Sequence, residues 1–297
     1  MKAMKNKQMH ELKELGIPVP IDSSVEILDA GQIKNFYPKR ARNSHKGTYG
    51  SCNIVAGSKR YAGAAVLSLK GALRSGCGYV KLTSCEYVKS LLVTKLPQII
   101  FLDEPNLTSQ AIAIGMGMGA TRETYNAVEY LLKNYCGSLI IDADGLNALS
   151  GFGTDILKDK TCKVILTPHT KEFSRLTKLS VGEILKNPLE ISKEFSKVYG
   201  VTMLLKGAAS IICEGDRVAI NMRGTTALSK GGSGDILSGF MCGCLARGLA
   251  PFDAASCAAY TLGVSAEIAS AERTDYCATA DDIIKNLHFS VKHLTSL

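Results

Sequence analysis

The chain has 297 residues, 46% hydrophobic and 21% charged, and 35 basic against 27 acidic residues leave a formal charge of +8. That composition suits one large α/β domain or two smaller ones and excludes a disordered or collagen-like chain. The basic surplus is partly local, because Lys2, Lys5, Lys7, Lys34, Lys39, Arg40, Arg42 and Lys46 crowd the first 50 positions; it suits anionic ligands such as nucleotides but lacks the dense stripe of a DNA-binding domain. With no Trp and 6% aromatics, a stacking platform for single-stranded nucleic acid is not expected.

Residues 1–45 read as a polar lead-in, helical or irregular, broken by Pro18, Pro20 and Pro38, and residues 46–297 as a single domain. Apolar runs predict buried strands at Cys52–Ala56, Tyr79–Thr83, Ile112–Gly115, Leu139–Asp142, Lys163–Thr167 and Met203–Lys206. Helical stretches lie between most of them, clearest at 62–75, 122–134 and 180–198. This β-α-β succession predicts an α/β fold: a mostly parallel central sheet with helices on both faces. Near residue 210 the rhythm changes to an expected antiparallel hairpin, Ser210–Cys213 and Arg217–Asn221 joined by Glu-Gly-Asp. Helices at 234–248, 252–270 and 280–288 then close the chain.

Ten cysteines are scattered without a C-x-x-C, and five histidines are not spaced beside them as metal ligands. They read as reduced, structural thiols of a cytosolic protein. The Lys-rich N-terminus lacks the apolar core of a secretory signal, and no apolar run approaches the ~18–20 residues that span a bilayer. The expectation is a cytoplasmic protein with no membrane partner.

The most informative segment is Lys230-Gly231-Gly232-Ser233-Gly234-Asp235, followed directly by the apolar helix from Ile236. Glycines ahead of a helix let several backbone N–H groups point at one spot, where the helix dipole adds positive charge: a phosphate site. Beside it Asp235 can take a proton from an attacking hydroxyl. The plainer alternative makes the glycines a tight turn and Asp235 an N-terminal helix charge.

A second loop, Gly115-Met116-Gly117-Met118-Gly119-Ala120, follows a predicted strand, with Asp142 about 22 residues on. It fits a dinucleotide fingerprint loosely, but it comes after earlier strands, and spacing does not decide between cofactor, substrate and close strand–helix packing. Three further strand ends carry polar groups: Asp142, Asp144 and Asn147; His169, Lys171 and Glu172; and Lys206. Such residues lie at the rim where open α/β sheets bind ligands. Lys206 can neutralise a phosphate there, and Asp142 or Asp144 can hold magnesium through water. A Walker A sequence is missing, which excludes a P-loop enzyme.

Taken in order, Gly57-Ser-Lys-Arg-Tyr-Ala-Gly63-Ala64, Ala72-Leu-Arg-Ser-Gly-Cys-Gly78, Gly115-Met-Gly117-Met-Gly, Ile141-Asp-Ala-Asp144-Gly-Leu-Asn147, Leu166-Thr-Pro-His169-Thr-Lys-Glu172, Leu205-Lys206-Gly and Gly231-Gly-Ser-Gly234-Asp235 resemble the ADP/ATP-dependent NAD(P)H-hydrate dehydratases. These are carbohydrate-kinase-like proteins with a ribokinase-type fold, and the resemblance covers roughly residues 46–270. It implies repair of the S-epimer of hydrated NADH or NADPH (NADHX and NADPHX) by phosphoryl transfer to the ring hydroxyl and loss of phosphate, leaving AMP. ADP is the implied donor, with ATP the alternative, together with Mg2+.

The same resemblance implies that Asp235 is the catalytic base, that Ala64, Gly117, His169 and Asp235 contact the hydrate, and that Lys206, Gly207, Ala208, Ala209, Ser210 and Gly234 contact the nucleotide. Glu172 and Asn147 lie near these, and no residue is assigned as a metal ligand. A homo-oligomer, tetrameric in the family, is implied too. The epimerase module found in many bacterial relatives is not expected in this chain, since only about 46 residues precede the domain. Three departures stand out: Ser233 replaces Thr, Met116 replaces Pro, and Thr-Lys rather than Pro-Gly follows His169. The competing expectations are a vitamin-precursor kinase of the same fold, a Rossmann oxidoreductase using the 115–120 loop, and a non-catalytic nucleotide-binding module.

Overall fold

All six apolar runs form strands, and five of them end one residue earlier than expected. Ala56, Gly115, Asp142, Thr167 and Lys206 have already left the ladder and stand at its carboxyl edge. The structure, a computed structural model, describes residues 2–18 and 24–296, with backbone alone for residues 2–7. In chain order the elements are α1 (Lys2–Glu14), β1 (Glu26–Ile27), α2 (Ala30–Lys34), β2 (Ser51–Val55), α3 (Ala62–Arg74), β3 (Tyr79–Thr83), α4 (Glu86–Leu92), β4 (Ile100–Leu102), β5 (Ala111–Ile114), α5 (Arg122–Asn134), β6 (Ser138–Ile141) and α6 (Asp144–Phe152). They continue with β7 (Lys163–Leu166), α7 (Thr170–Thr177), α8 (Val181–Lys186), α9 (Pro188–Tyr199), β8 (Thr202–Leu205), β9 (Ser210–Glu214), β10 (Arg217–Asn221), α10 (Ser233–Ala246), α11 (Pro251–Cys277) and α12 (Ala280–Thr295).

The strands form one sheet in the order β1-β10-β9-β8-β7-β6-β5-β2-β3-β4. It is parallel except around β9, which runs antiparallel to both β8 and β10; the expected hairpin is therefore present. After β1, at the edge beside β10, the chain enters mid-sheet at β2, moves outward to β3 and β4, then returns to β5 on the other side of β2. That reversal makes a switch point, where the two loops diverge and leave a crevice. Register aligns the strand ends: Val55 pairs with Ile114, Ile114 with Ile141, and Ile141 with Leu166. Strand β8 reaches farther, so Lys206 comes level with His169 and bridges to it.

Side-chain alternation splits the interior into two cores, one per sheet face. Ile54, Ile140 and Leu204 join α2, α3, α4, α10, α11 and α12 on one face. Val55, Ile141 and Leu205 join α1 and α5–α9 on the other. Helices α3 and α10 meet almost backbone to backbone, and a Cβ at Gly239 would lie 1.9 Å from the Ser68 carbonyl oxygen. This contact fixes α10, and hence the glycine loop before it, against the sheet.

The expected helix 180–198 is two helices, broken at Asn187, because Pro188 starts α9 and gives no N–H to continue α8. Strands β1 and β4 are two and three residues long, too short for a periodic signal. Strand β1 comes from the stretch read as a lead-in and pairs with β10, and Leu28 and Ile33 beside it are buried.

Candidate functional site

The site is built on the carboxyl edge of β5, β6, β7 and β8 and on the first turn of α10. Gly232 caps α10, and Asp235 lies in its first turn. Opposite, Lys206 Nζ is 2.9 Å from Asp142 Oδ1 and 3.9 Å from Glu172 Oε2. A Cβ placed on Gly234 would lie 3.5 Å from that ammonium and 3.7 Å from Asp142 Oδ2. The phosphate loop and the lysine thus face one another, and the absence of a side chain at Gly234 keeps the space between them open.

The electrostatics follow from burial. Burial, helped by Asp142 and Asp144 and opposed by Lys206, raises the Asp235 carboxyl to about 7. Such a group gains or loses its proton near neutrality, as a general base must. Burial also works against the Lys206 ammonium, but Asp142, Glu172 and Asp235 together outweigh it and hold the lysine pKa above its ordinary value. Both Asp142 carboxylate oxygens are engaged: Ser238 donates to Oδ2 at 2.7 Å while Lys206 holds Oδ1.

Around this centre the second glycine loop and the His169 turn close in. The Asp144 carboxylate accepts from Gly119 N–H at 2.7 Å, which ties the 115–119 loop to the start of α6. Gly117 has φ +66 and packs against the start of α3, where an added Cβ would fall 2.7 Å from Ala64 Cβ. His169 caps α7: its Nδ1 accepts from Lys171 and Glu172 N–H at 3.1 and 3.2 Å, and Glu172 Oε2 accepts from His169 N–H at 2.9 Å. Burial, Lys206 and Arg175 hold the imidazole pKa below its ordinary value, which matches its acceptor role at Nδ1. Burial raises the Glu172 pKa.

A cavity of about 620 Å³ opens beside the lysine, lined by Lys206, Gly207, Ala208, Ser210, Ser233 and Gly234 on one side. Ala209 is 4% exposed and does not line it. Asn147 does not line it either, and accepts from Arg175 at 2.8 Å. Sequence reasoning missed the opposite wall, formed by Asn221, Arg223, Thr225 and Asp275. It also missed Ser238, which lies one helical turn beyond Asp235, a spacing that could have shown it sharing that helix face. Among the described residues no group of three or more His, Cys, Asp or Glu is placed to hold a metal ion.

The sequence model of the NAD(P)H-hydrate dehydratase family matches residues 52–288. The ADP-dependent (S)-NAD(P)H-hydrate dehydratase of Bacillus subtilis is 35% identical over 265 residues, covering 84% of this chain and 92% of that protein. The bifunctional NAD(P)H-hydrate repair enzyme Nnr of Moorella thermoacetica is 29% identical over 307 residues, covering 96% of this chain and 58% of that protein. The chain spans about half the length of the bifunctional relatives it matches. The crystal structure of the ADP/ATP-dependent NAD(P)H-hydrate dehydratase from Bacillus subtilis, co-crystallised with ATP and Mg2+, matches with a TM-score of 0.84 at 32% identity, covering 92% of this chain and 100% of that one. The match therefore takes in the strand edge, both glycine loops and α10 together, and the chain belongs to the NAD(P)H-hydrate dehydratase family.

Proposed function

We propose that the chain dehydrates the S-epimer of NAD(P)H hydrate back to NAD(P)H, using ADP as phosphoryl donor. The observation that carries this reading is the placing of Asp235, with its carboxyl raised to about 7, in the first turn of α10 behind the Gly231–Gly234 loop and across from Lys206. As the carboxylate, Asp235 takes the proton of the ring hydroxyl while that oxygen attacks the terminal phosphorus of the nucleotide. The bond from that phosphorus to the bridging oxygen breaks and AMP leaves. The carbon–oxygen bond then breaks with loss of a neighbouring ring proton, which expels phosphate and restores the ring double bond. Phosphate is a far better leaving group than hydroxide, which is why a nucleotide is needed at all.

In this reading Lys206 and the N–H groups before α10 hold the charge of the transferred group, and the 206–210 segment with the wall at Asn221 and Thr225 takes the nucleotide. Ala64, Gly117 and His169 contact the hydrate. Magnesium fits as an ion carried on the nucleotide phosphates, because it binds few protein ligands and both Asp142 oxygens are engaged; Asp144, whose Oδ2 takes the Gly119 N–H, is the other carboxylate for a water-mediated contact. A single unit over residues 46–297, assembly of several copies and action in the cytoplasm belong to the same reading and rest on the family resemblance. Among the described residues no helix is long and apolar enough to cross a membrane.

The test is a turnover assay on acid-hydrated NADH with magnesium, run with ADP, with ATP and without nucleotide. The near-ultraviolet absorbance of the reduced ring is expected to return only with nucleotide, faster with ADP. No recovery from folded protein with either nucleotide would sink the reading, and a stable phosphorylated product would replace it with a kinase.

A further inference from the structure

Two of the basic residues crowding the first 50 positions line a cavity away from the phosphate loop. Lys39 and Arg40 join Arg74 and Arg247 around a separate cavity of about 540 Å³, closed on one side by Val291 and Thr295 of α12. This cavity lies at the amino edge of the sheet: Gly50, just before β2, abuts the Ala246 carbonyl, and Gly76 lies just before β3. Helix α3 begins beside Gly117 and ends at Arg74, while α10 begins at the phosphate loop and is capped by Arg247. At 1.5 Å per residue, each helix puts about 20 Å between the two sites.

Four cations face this space and no carboxylate lines it. Among the described residues none of the four is ion-paired. Arg247 is anchored, with Nη1 donating to Phe36 O at 3.2 Å and Nη2 lying 3.6 Å from Cys244 Sγ, yet its buried Nε has no hydrogen-bond partner. Arg40 donates to Gly76 O and stacks over the Tyr49 ring at 3.8 Å, so its guanidinium is held in place too. Unpaired like charges around a concavity repel one another unless an anion joins them. Guanidinium forks match phosphate oxygens, and the cavity has small-molecule dimensions.

We propose that this cavity binds a small anion carrying a pyrophosphate-type group, at a site separate from the catalytic one. The part-buried Arg247 provides the floor, Arg40 is steadied by its Gly76 and Tyr49 contacts, and Arg40, Lys39 and Arg74, all exposed, close over the charge. The inference does not rest on the dehydratase reading.

The probe is inorganic pyrophosphate added to the full chain, read by hydrogen–deuterium exchange and by calorimetry. Protection of the backbone at residues 36–40 and 74–77 is expected. The K39Q/R74Q variant should bind at this site at least about tenfold more weakly, with its melting temperature in the absence of pyrophosphate unchanged. The control K163Q/K186Q, which removes the same charge elsewhere, should bind like the parent. Protection confined to 206–210 and 231–235, equal affinity in parent and K39Q/R74Q, or equal weakening in the control overturns the proposal.

Discussion

Lys206 and Asp142, 64 residues apart, are joined by a 2.9 Å ion pair whose carboxylate is only 2% exposed. The remaining carboxylate oxygen takes the Ser238 hydroxyl of α10, so one buried aspartate locks together the ends of β6 and β8 and the helix that carries Asp235. Removing one partner of such a pair leaves an uncompensated buried charge, so its geometry is held more firmly than that of a surface pair.

That relationship sets a pH dependence. Asp235 serves as a base only when ionised, and burial, then Asp142, raises its pKa to about 7. Below that value kcat/KM should fall about tenfold per pH unit; above it the profile should level. In Asp142→Asn the negative neighbour is gone, so the acid limb should move to lower pH, while the nucleotide KM rises because Lys206 is no longer held. Profiles from pH 5 to 9 decide it: an acid limb at the same pH in both proteins removes Asp142 from this role.

Asp235→Asn should lose roughly 10²–10⁴-fold in turnover while nucleotide binding persists. Its stability should change the other way. The folded carboxyl, at about 7 against an ordinary 3.8, holds its proton more tightly than the unfolded one. Wild-type stability therefore falls as pH rises from about 4 to about 7, by an amount on the order of 2–4 kcal/mol. Asparagine carries no such penalty, so the variant should melt higher than wild type at pH 8 and nearly level with it at pH 4. Equal melting temperatures at pH 8 would show that Asp235 is not held protonated by its surroundings.

Asp235 was legible in the sequence because its signal is local: glycines, then a carboxylate, then an apolar helix. The strand-edge residues were legible because a buried run that ends in a charge can end only at a rim. What escaped was assembled across the fold. Ser238 meets Asp142 from 96 positions away, and the cavity wall at Asn221, Arg223 and Thr225 ends β10 with one arginine and one glycine, Gly224, too short a pattern to mark a site by itself. The basic cavity draws on positions 39, 40, 74 and 247, which no spacing connects. Periodicity needs several residues to register, so β1 and β4 were lost, and the 180–198 run hid a break that Pro188 makes plain.

Gly239→Ala tests the α3–α10 contact. Its Cβ would fall 1.9 Å from a backbone oxygen, which no rotamer change relieves, and the expected loss is about 3 kcal/mol or more by denaturant unfolding. Gly151→Ala in α6 meets nothing within 4 Å and should gain about 0.5–1 kcal/mol from helix propensity. Similar effects at the two positions would mean that close helix approach does not limit this fold.

Gly117→Ala separates binding of the hydrate from binding of the nucleotide. At φ +66 an alanine is strained, and its Cβ would lie 2.7 Å from Ala64 Cβ and 2.8 Å from Tyr61 Cβ. The strain should cost roughly 1–3 kcal/mol of stability, and relief comes by pushing the start of α3 outward. The cavity assigned to the nucleotide is lined by Lys206 and by none of residues 115–119. The expected outcome is a KM for the hydrate raised about tenfold or more, corresponding to ~1.4 kcal/mol of lost binding, with ADP affinity unchanged. Ala64→Gly in the same chain removes one of three clashes, the others being with Tyr61 Cβ and its carbonyl oxygen, and should recover part of the lost binding. If Gly117→Ala instead weakens ADP and leaves the hydrate KM alone, the 115–119 loop serves the nucleotide, and the two substrates occupy the cleft in the opposite order.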